Sequence, residues 1–257
     1  ASCRCVPLPH TVWRRKIGYA VAAAAGRRRP PAVDRDKSAT VALTEGTCVP
    51  REEVTDVHPS HPGKSCRSAA AARMHGSVER GTATGGHRLP RSTAGTRGDG
   101  TYIALVRFDS EEAARRNSER PEQGTWWAET ERCFDGPVTF MDCPDAMEWL
   151  GGGSDDAGFV QIMEGHTTDA HRLSELMAQA GDKLPGVRPE ILGGTFAAAG
   201  DGGYVEAVYF TTEPDARAHE KITVPDDLRS LFEEEGRLMG EVDYFDLREP
   251  MLVSASR

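Results

Sequence analysis

At 257 residues, with a formal net charge of −9, the chain is long enough for one or two domains with a sizeable core. The charge is split: residues 1–98 carry 17 Lys and Arg against 7 Asp and Glu, and the remainder carries 14 against 33. The acidic remainder would repel phosphate backbones, which argues against nucleic acid as a partner, and the apolar run 17–26 is too short to span a bilayer.

Residues 1–37 read as a basic, largely disordered arm. They are rich in Arg, Ala and Pro and contain no Phe, so they bury too little to offset the entropy of ordering. Trp13-Arg14-Arg15-Lys16 ahead of the apolar run resembles the start of a secretory signal. Arg27-Arg28-Arg29 directly after it argues against cleavage, and the expectation is a cytoplasmic protein. Cys3 and Cys5 near His10 form at most half a metal site, because no second pair stands at a zinc spacing. No metal is expected.

Residues 38–148 read as a first folded unit, with the stretch 54–90 degenerate or poorly ordered. Residues 149–157 read as a linker whose Gly151-Gly152-Gly153 predicts a flexible hinge. Residues 158–250 read as a second unit. The division rests on an internal repeat at a shift of about 102 residues. It sets Thr93 on Thr195, Tyr102 on Tyr204, Val106 on Val208, Phe108 on Phe210 and Glu111 on Glu213. Gly98-Asp99-Gly100 falls on Gly200-Asp201-Gly202, and Asp-Gly between two strand-like runs predicts a tight hairpin. Downstream the shift grows to 104, setting Val138 on Val242, Phe140 on Tyr244 and Cys143 on Leu247. Cys143 is therefore expected as a small apolar packing residue.

The second unit carries strands at 158–165 and 191–198. Between them residues 169–180 place Leu173, Leu176, Met177 and Ala180 at helical spacing. Thr212 opens a further helix pair that breaks before Pro225 and resumes over 226–239; Ser110 is the matching N-cap in the first unit. The order is β-α-β-β-α-β, the ferredoxin-like arrangement. By topology the first unit needs a strand between its third and fourth. Residues 39–46 are expected to supply it, with Val41 set on Val160 and Leu43 on Ile162. In the helical stretch of the first unit Trp126 and Trp127 point about 100° apart, so one of them is expected to anchor the helix to its sheet.

These tandem units, with the GDG hairpins and the run Glu111-Glu112-Ala113-Ala114-Arg115 through Pro121-Glu122-Gln123-Gly124-Thr125-Trp126-Trp127, resemble the dimeric α/β-barrel proteins, and among them the antibiotic-biosynthesis-monooxygenase-like branch. In that family two ferredoxin-like units pair their sheets into a barrel with helices outside. Both units lie on one chain here, so the resemblance implies an α+β fold with an intrachain barrel, a monomer capable of further association. The family includes cofactor-free oxygenases, haem-degrading enzymes and proteins without catalysis, so fold does not decide function.

No nucleophile elbow, phosphate loop, dinucleotide fingerprint or HExxH is present, and no cofactor is expected. Asn117, Trp127 and His219 supply the residue types that haem-degrading relatives use. Asn117 and His219 fall on the same place in the two units, however, and no axial-ligand arrangement follows. The expected activity is a small-molecule oxidoreductase of the cofactor-free monooxygenase type, acting on an aromatic or phenolic compound; the alternative is a non-catalytic small-molecule-binding or interaction protein. An oxygenase of this type needs polar groups that deprotonate a phenol and stabilise its anion. Gln161, Glu206, Tyr209 and His219 are the candidates. Each has a plainer role: Gln161 and Glu206 at a solvated rim, Tyr209 in the core, His219 on a helix surface.

Overall fold

The structure is a computed structural model. It describes residues 38–44, 91–97, 100–134, 138–220, 222 and 224–253. The basic arm 1–37 and the stretch 54–90 lie outside the described residues.

The first part of the chain forms β1 (Ser38–Thr44), β2 (Arg91–Thr96), β3 (Tyr102–Phe108), α1 (Glu111–Ser118), α2 (Pro121–Thr130), β4 (Val138–Cys143) and β5 (Asp145–Trp149). The second forms β6 (Phe159–His166), α3 (Ala170–Gly181), β7 (Ile191–Ala198), β8 (Gly203–Phe210), α4 (Glu213–His219), α5 (Asp226–Met239), β9 (Val242–Leu247) and β10 (Met251–Val253). The strands build two five-stranded antiparallel sheets, β10-β2-β3-β1-β4 and β5-β7-β8-β6-β9. The result is an α+β fold with ferredoxin-like sheets. Neither sheet closes on itself. Each takes its fifth strand from the far end of the other part of the chain: β5 pairs with β7, and β10 pairs with β2.

Local chemistry accounts for the element ends. Ser110 accepts a hydrogen bond from the Ala113 amide at 3.2 Å, Asp169 from Arg172 at 2.9 Å and Thr212 from Asp215 at 3.2 Å. Each satisfies an amide that the first turn leaves without a partner. The two hairpins turn on Gly100 (φ 96°) and Gly202 (φ 92°), a region that L side chains rarely enter. Leu173, Leu176, Met177 and Ala180 of α3 are all buried, as their spacing predicts.

Alternation along β3 and β8 divides the core. Ile103 and Leu105 of β3 join Val205, Ala207 and Tyr209 of β8 in a cluster shared by both sheets, with Cys143, Ile162 and Leu247. Cys143 is fully buried there, an apolar packing residue. The intervening residues of β8 (Tyr204, Val208 and Phe210) face outward and pack under α3, α4 and α5 with Phe159, Leu173, Leu228 and Met239. The whole of β8 is buried because it is covered on both faces. Trp127 anchors α2, its ring edge-on to Phe140 at 5.1 Å, while Trp126 is only half-buried.

The expected first strand is β1, lying between β3 and β4, but its register differs from the alignment. Val41 pairs with Leu105 and Met141, as Ile162 pairs with Ala207 and Phe245. Val41 therefore matches Ile162, two residues along from Val160. A slip of two leaves every side chain on its own face, so hydrophobic pattern cannot detect it.

The glycine hinge is a second difference. Residues 145–149, the end of the expected first unit and the first residue of the expected linker, form strand β5, and the glycines that follow are held in place. Leu150, Gly151, Gly152 and Gly153 all adopt positive φ. The Gly152 carbonyl accepts from Arg107 Nη1 and from Thr195 Oγ1. A Cβ on Gly153 would lie 2.6 Å from the Tyr209 ring. Close approach at Gly152 and Gly153, and positive φ at all three, account for the glycines here. β10 likewise lies beyond the expected end of the second unit.

Candidate functional site

A cavity of about 200 Å³ lies between the outer face of the β5–β9 sheet and the helices α3, α4 and α5. Its walls are mostly apolar, including Trp149, Phe159, Met163, Val208, Phe210 and Phe232. Gln161, Arg188, Arg217 and three carboxyl groups, those of Glu206, Glu220 and Glu235, interrupt them. Glu206 occupies an outward position of β8, between Tyr204 and Val208, and its partners on the adjacent strands are Met163 and Phe196. Glu235 occupies the core-facing stripe of α5, in step with Leu228, Leu231, Phe232 and Met239. Both line the cavity.

Glu206 is 3% exposed, and its carboxyl makes no hydrogen bond or ion pair among the described residues. Burial pushes its pKa well above the ordinary 4.5, and the Glu235 charge pushes it further. Glu235 is half-buried and likewise without a hydrogen-bond partner among the described residues. Burial raises its pKa to about 7. Two desolvated acids lining one small cavity disfavour double ionisation. The basic groups nearby do not neutralise them. Arg188 is bound by Glu190. Arg217 is held by Glu220 at 2.5 Å, is paired with Asp246, and lies over the Phe159 ring at 5.3 Å. The rim is thus internally compensated and the interior is not.

The four residues expected from the sequence do not converge. Gln161 and Glu206 line the cavity, and Gln161 donates to Asp246 Oδ1 at 2.9 Å. Tyr209 projects from the opposite face of β8 into the core between the sheets, its hydroxyl 2.5 Å from Thr93 Oγ1. His219 ends α4. Its Nδ1 lies 3.0 Å from Glu190 Oε2, and the two make no hydrogen bond. It flanks the rim residue Glu220 and is not part of the wall. Glu235 was missed. Its signal was present in the sequence, an acid in the apolar stripe of an amphipathic helix, but such an acid gains meaning only once the facing strand position is known.

Arg107 and Tyr209 occupy matching places in the repeat, as do Thr93 and Thr195. Arg107 Nη1 donates to Thr195 Oγ1 at 2.6 Å, and Tyr209 meets Thr93. Two related polar contacts therefore cross between the sheets in opposite directions. Among the described residues no cluster of three or more His, Cys, Asp or Glu side chains forms a metal site, and no helix is long and apolar enough to cross a membrane.

Neither a family profile nor a curated protein matches the chain. Solved structures do. A candidate monooxygenase from Fusobacterium nucleatum aligns over 86% of this chain and 96% of its own, with a TM-score of 0.60 at 7% identity. A candidate monooxygenase from Lactobacillus acidophilus aligns over 85% and 100%, with a TM-score of 0.57 at 11% identity. An anthrone oxidase-like protein aligns over 88% and 99%, with a TM-score of 0.54 at 11% identity. The likeness is one of fold. The chain shares its fold with these three proteins.

Proposed function

We propose that the chain is a small-molecule oxidoreductase of the cofactor-free monooxygenase type, acting on an aromatic or phenolic compound held in the cavity over β8. The observation that carries this reading is Glu206, a buried carboxyl without a partner among the described residues, in an aromatic-walled cavity beside a second acid. A general base works best with a pKa near the working pH, and burial moves this pair in that direction. In the proposed reaction the ionised carboxylate takes the O–H proton of a phenol. The phenolate ring carbon para to oxygen then adds dioxygen, and the carboxyl returns the proton to the peroxide. Loss of water leaves a quinone, so one phenol and one dioxygen give one quinone and one water. Gln161 serves as a polar contact to the bound oxygen. Tyr209 supports the site through β8, and His219 lies at its approach.

The reciprocal exchange of β5 and β10, and the cluster shared by both sheets, support a further part of this reading: two tandem units forming one barrel within the chain. Small-angle scattering of residues 38–257 tests it, since a two-lobed particle is incompatible with one barrel.

A second reading, a non-catalytic binder of small molecules, is favoured by the same burial, because a carboxyl that stays protonated is no base. Dioxygen uptake with 1-naphthol and the full chain separates the two. Uptake matched by 1,4-naphthoquinone, and lost in Glu206→Gln, supports catalysis. Binding of 1-naphthol without uptake leaves the binder.

A further inference from the structure

Glu206 and Glu235 together pose a problem of charge. A carboxylate removed from water is costly unless it is paired or hydrogen-bonded. Neither group has a protein partner of either kind among the described residues. Arg188 and Arg217, the basic residues of the wall, are engaged by Glu190, Glu220 and Asp246. Apart from Gln161, which donates to Asp246, and the rim residue Glu220, which holds Arg217, the remaining lining is aromatic and aliphatic, with Trp149, Phe159, Phe210 and Phe232 among it. The faces of aromatic rings attract cations, most strongly where water is excluded. An uncompensated pair of acids among aromatic rings is complementary to a cation and repels an anion.

We propose that the cavity selects ligands carrying a protonated amine next to an aromatic ring, and rejects ligands carrying a carboxylate at the same place. The inference rests on the cavity being the ligand site, and it stands whether or not the protein is a catalyst. The ammonium lies against Glu206 and Glu235. One carboxylate suffices to hold it, which leaves the second acid available to a phenolic hydroxyl on the same molecule. Because burial favours the protonated acids in the empty site, binding a cation favours their ionised form and releases protons to the solvent. The other ionisable groups around the pair are Tyr204, whose hydroxyl donates to the Met239 carbonyl at 3.1 Å, and the rim residues Arg188, Arg217 and Glu220. Tyr204 is itself shifted upward by burial and by Glu206, so it stays neutral and does not compete for the cation.

The test is calorimetric titration of the full chain at pH 7 with three ligands that share one phenol ring: tyramine (cationic), tyrosol (neutral) and 4-hydroxyphenylacetate (anionic). Tyramine is expected to bind at least about tenfold more tightly than tyrosol, and 4-hydroxyphenylacetate most weakly. The tyramine enthalpy is expected to depend on the ionisation enthalpy of the buffer, with net proton release. In Glu206→Gln the preference of tyramine over tyrosol should fall to about threefold or less; Glu235→Gln, made separately, should also reduce it. Equal binding of the three, a preference for the carboxylate, no binding of any, or a tyramine preference that survives in both variants would overturn the inference. A protein that binds tyramine as described but consumes no dioxygen with 1-naphthol keeps this inference and loses the catalytic reading.

Discussion

At Glu206 burial raises the carboxyl pKa above its ordinary 4.5, and at Glu235 it raises it to about 7. A group whose pKa is higher in the folded state contributes stability that is present in full below the unfolded value and lost as pH rises through the folded one. The two acids therefore stabilise the fold near pH 4.5 relative to pH 8, with the Glu235 share disappearing across the interval from about 4.5 to 7. Glu206→Gln is expected to raise the melting temperature at pH 8 by about 3 °C or more, roughly 1 kcal/mol in a chain of this size, and to change it little at pH 5. An equal shift at both pH values would show that Glu206 is not a strained acid in the folded protein. A second residue-scale expectation concerns the contact between the sheets. Tyr209→Phe leaves the buried Thr93 hydroxyl without its partner and should cost about 1–2 kcal/mol. Adding Thr93→Val should cost less than the sum of the single changes, because both ends of the bond are then gone. Strictly additive losses in urea denaturation would show that the 2.5 Å contact contributes nothing.

At the scale of elements, the docking of β5 depends on a missing side chain. Trp149 and Gly194 face one another across the β5–β7 pair, and the indole lies where a side chain at 194 would begin. A Cβ built there would come within 2.1 Å of the ring. Gly194→Ala should therefore cost about 2–3 kcal/mol by overpacking and should disturb the cavity wall that Trp149 forms. In the Gly194→Ala background, Trp149→Ala should cost less than it does in the wild-type chain, since the clash goes with the ring. A methyl group tolerated at 194 with an unchanged melting temperature would mean that β5 docks differently. Helix α5 is the other decisive element. Its bounds were legible in the sequence, but the place of the acid at 235 was not. Facing β8 made it part of a site.

For the whole molecule, β1 is the strand on which the first sheet depends. It pairs with β3 on one side and β4 on the other. Removing residues 1–46 takes it away and leaves two neighbours with unpaired backbone groups in the middle of a sheet. That chain is expected to melt at a sharply lower temperature or to aggregate, whereas removal of residues 1–37 should leave the transition nearly unchanged. Identical melting of the two would contradict the pairing. The exchange of β5 and β10 extends the same dependence across the molecule, since each sheet is completed by chain that follows the last strand of the opposite half.

The sequence by itself determined the order of strands and helices within each β-α-β-β-α-β unit, though not β5 and β10, and with it the two glycine-turned hairpins, the caps at Ser110 and Thr212, and the inward face of α3. All of these depend on neighbours within a few residues or on a repeat read against itself. The tertiary structure alone decided three things. It set β1 two residues away from the aligned register, which side-chain alternation cannot distinguish because the strand period is two. It turned the residues after β4 into a strand of the other sheet and held the glycines after it, because their partners Arg107, Thr195 and Tyr209 lie some 40 or more residues away in the chain. It also separated the candidate residues, sending Tyr209 to one face of β8 and Glu206 to the other, while Glu235, from a helix that begins some 15 residues beyond β8, came to line the same cavity as Glu206. A site made of desolvated groups exists only where the folded chain excludes water, and no local property of the sequence specifies that exclusion.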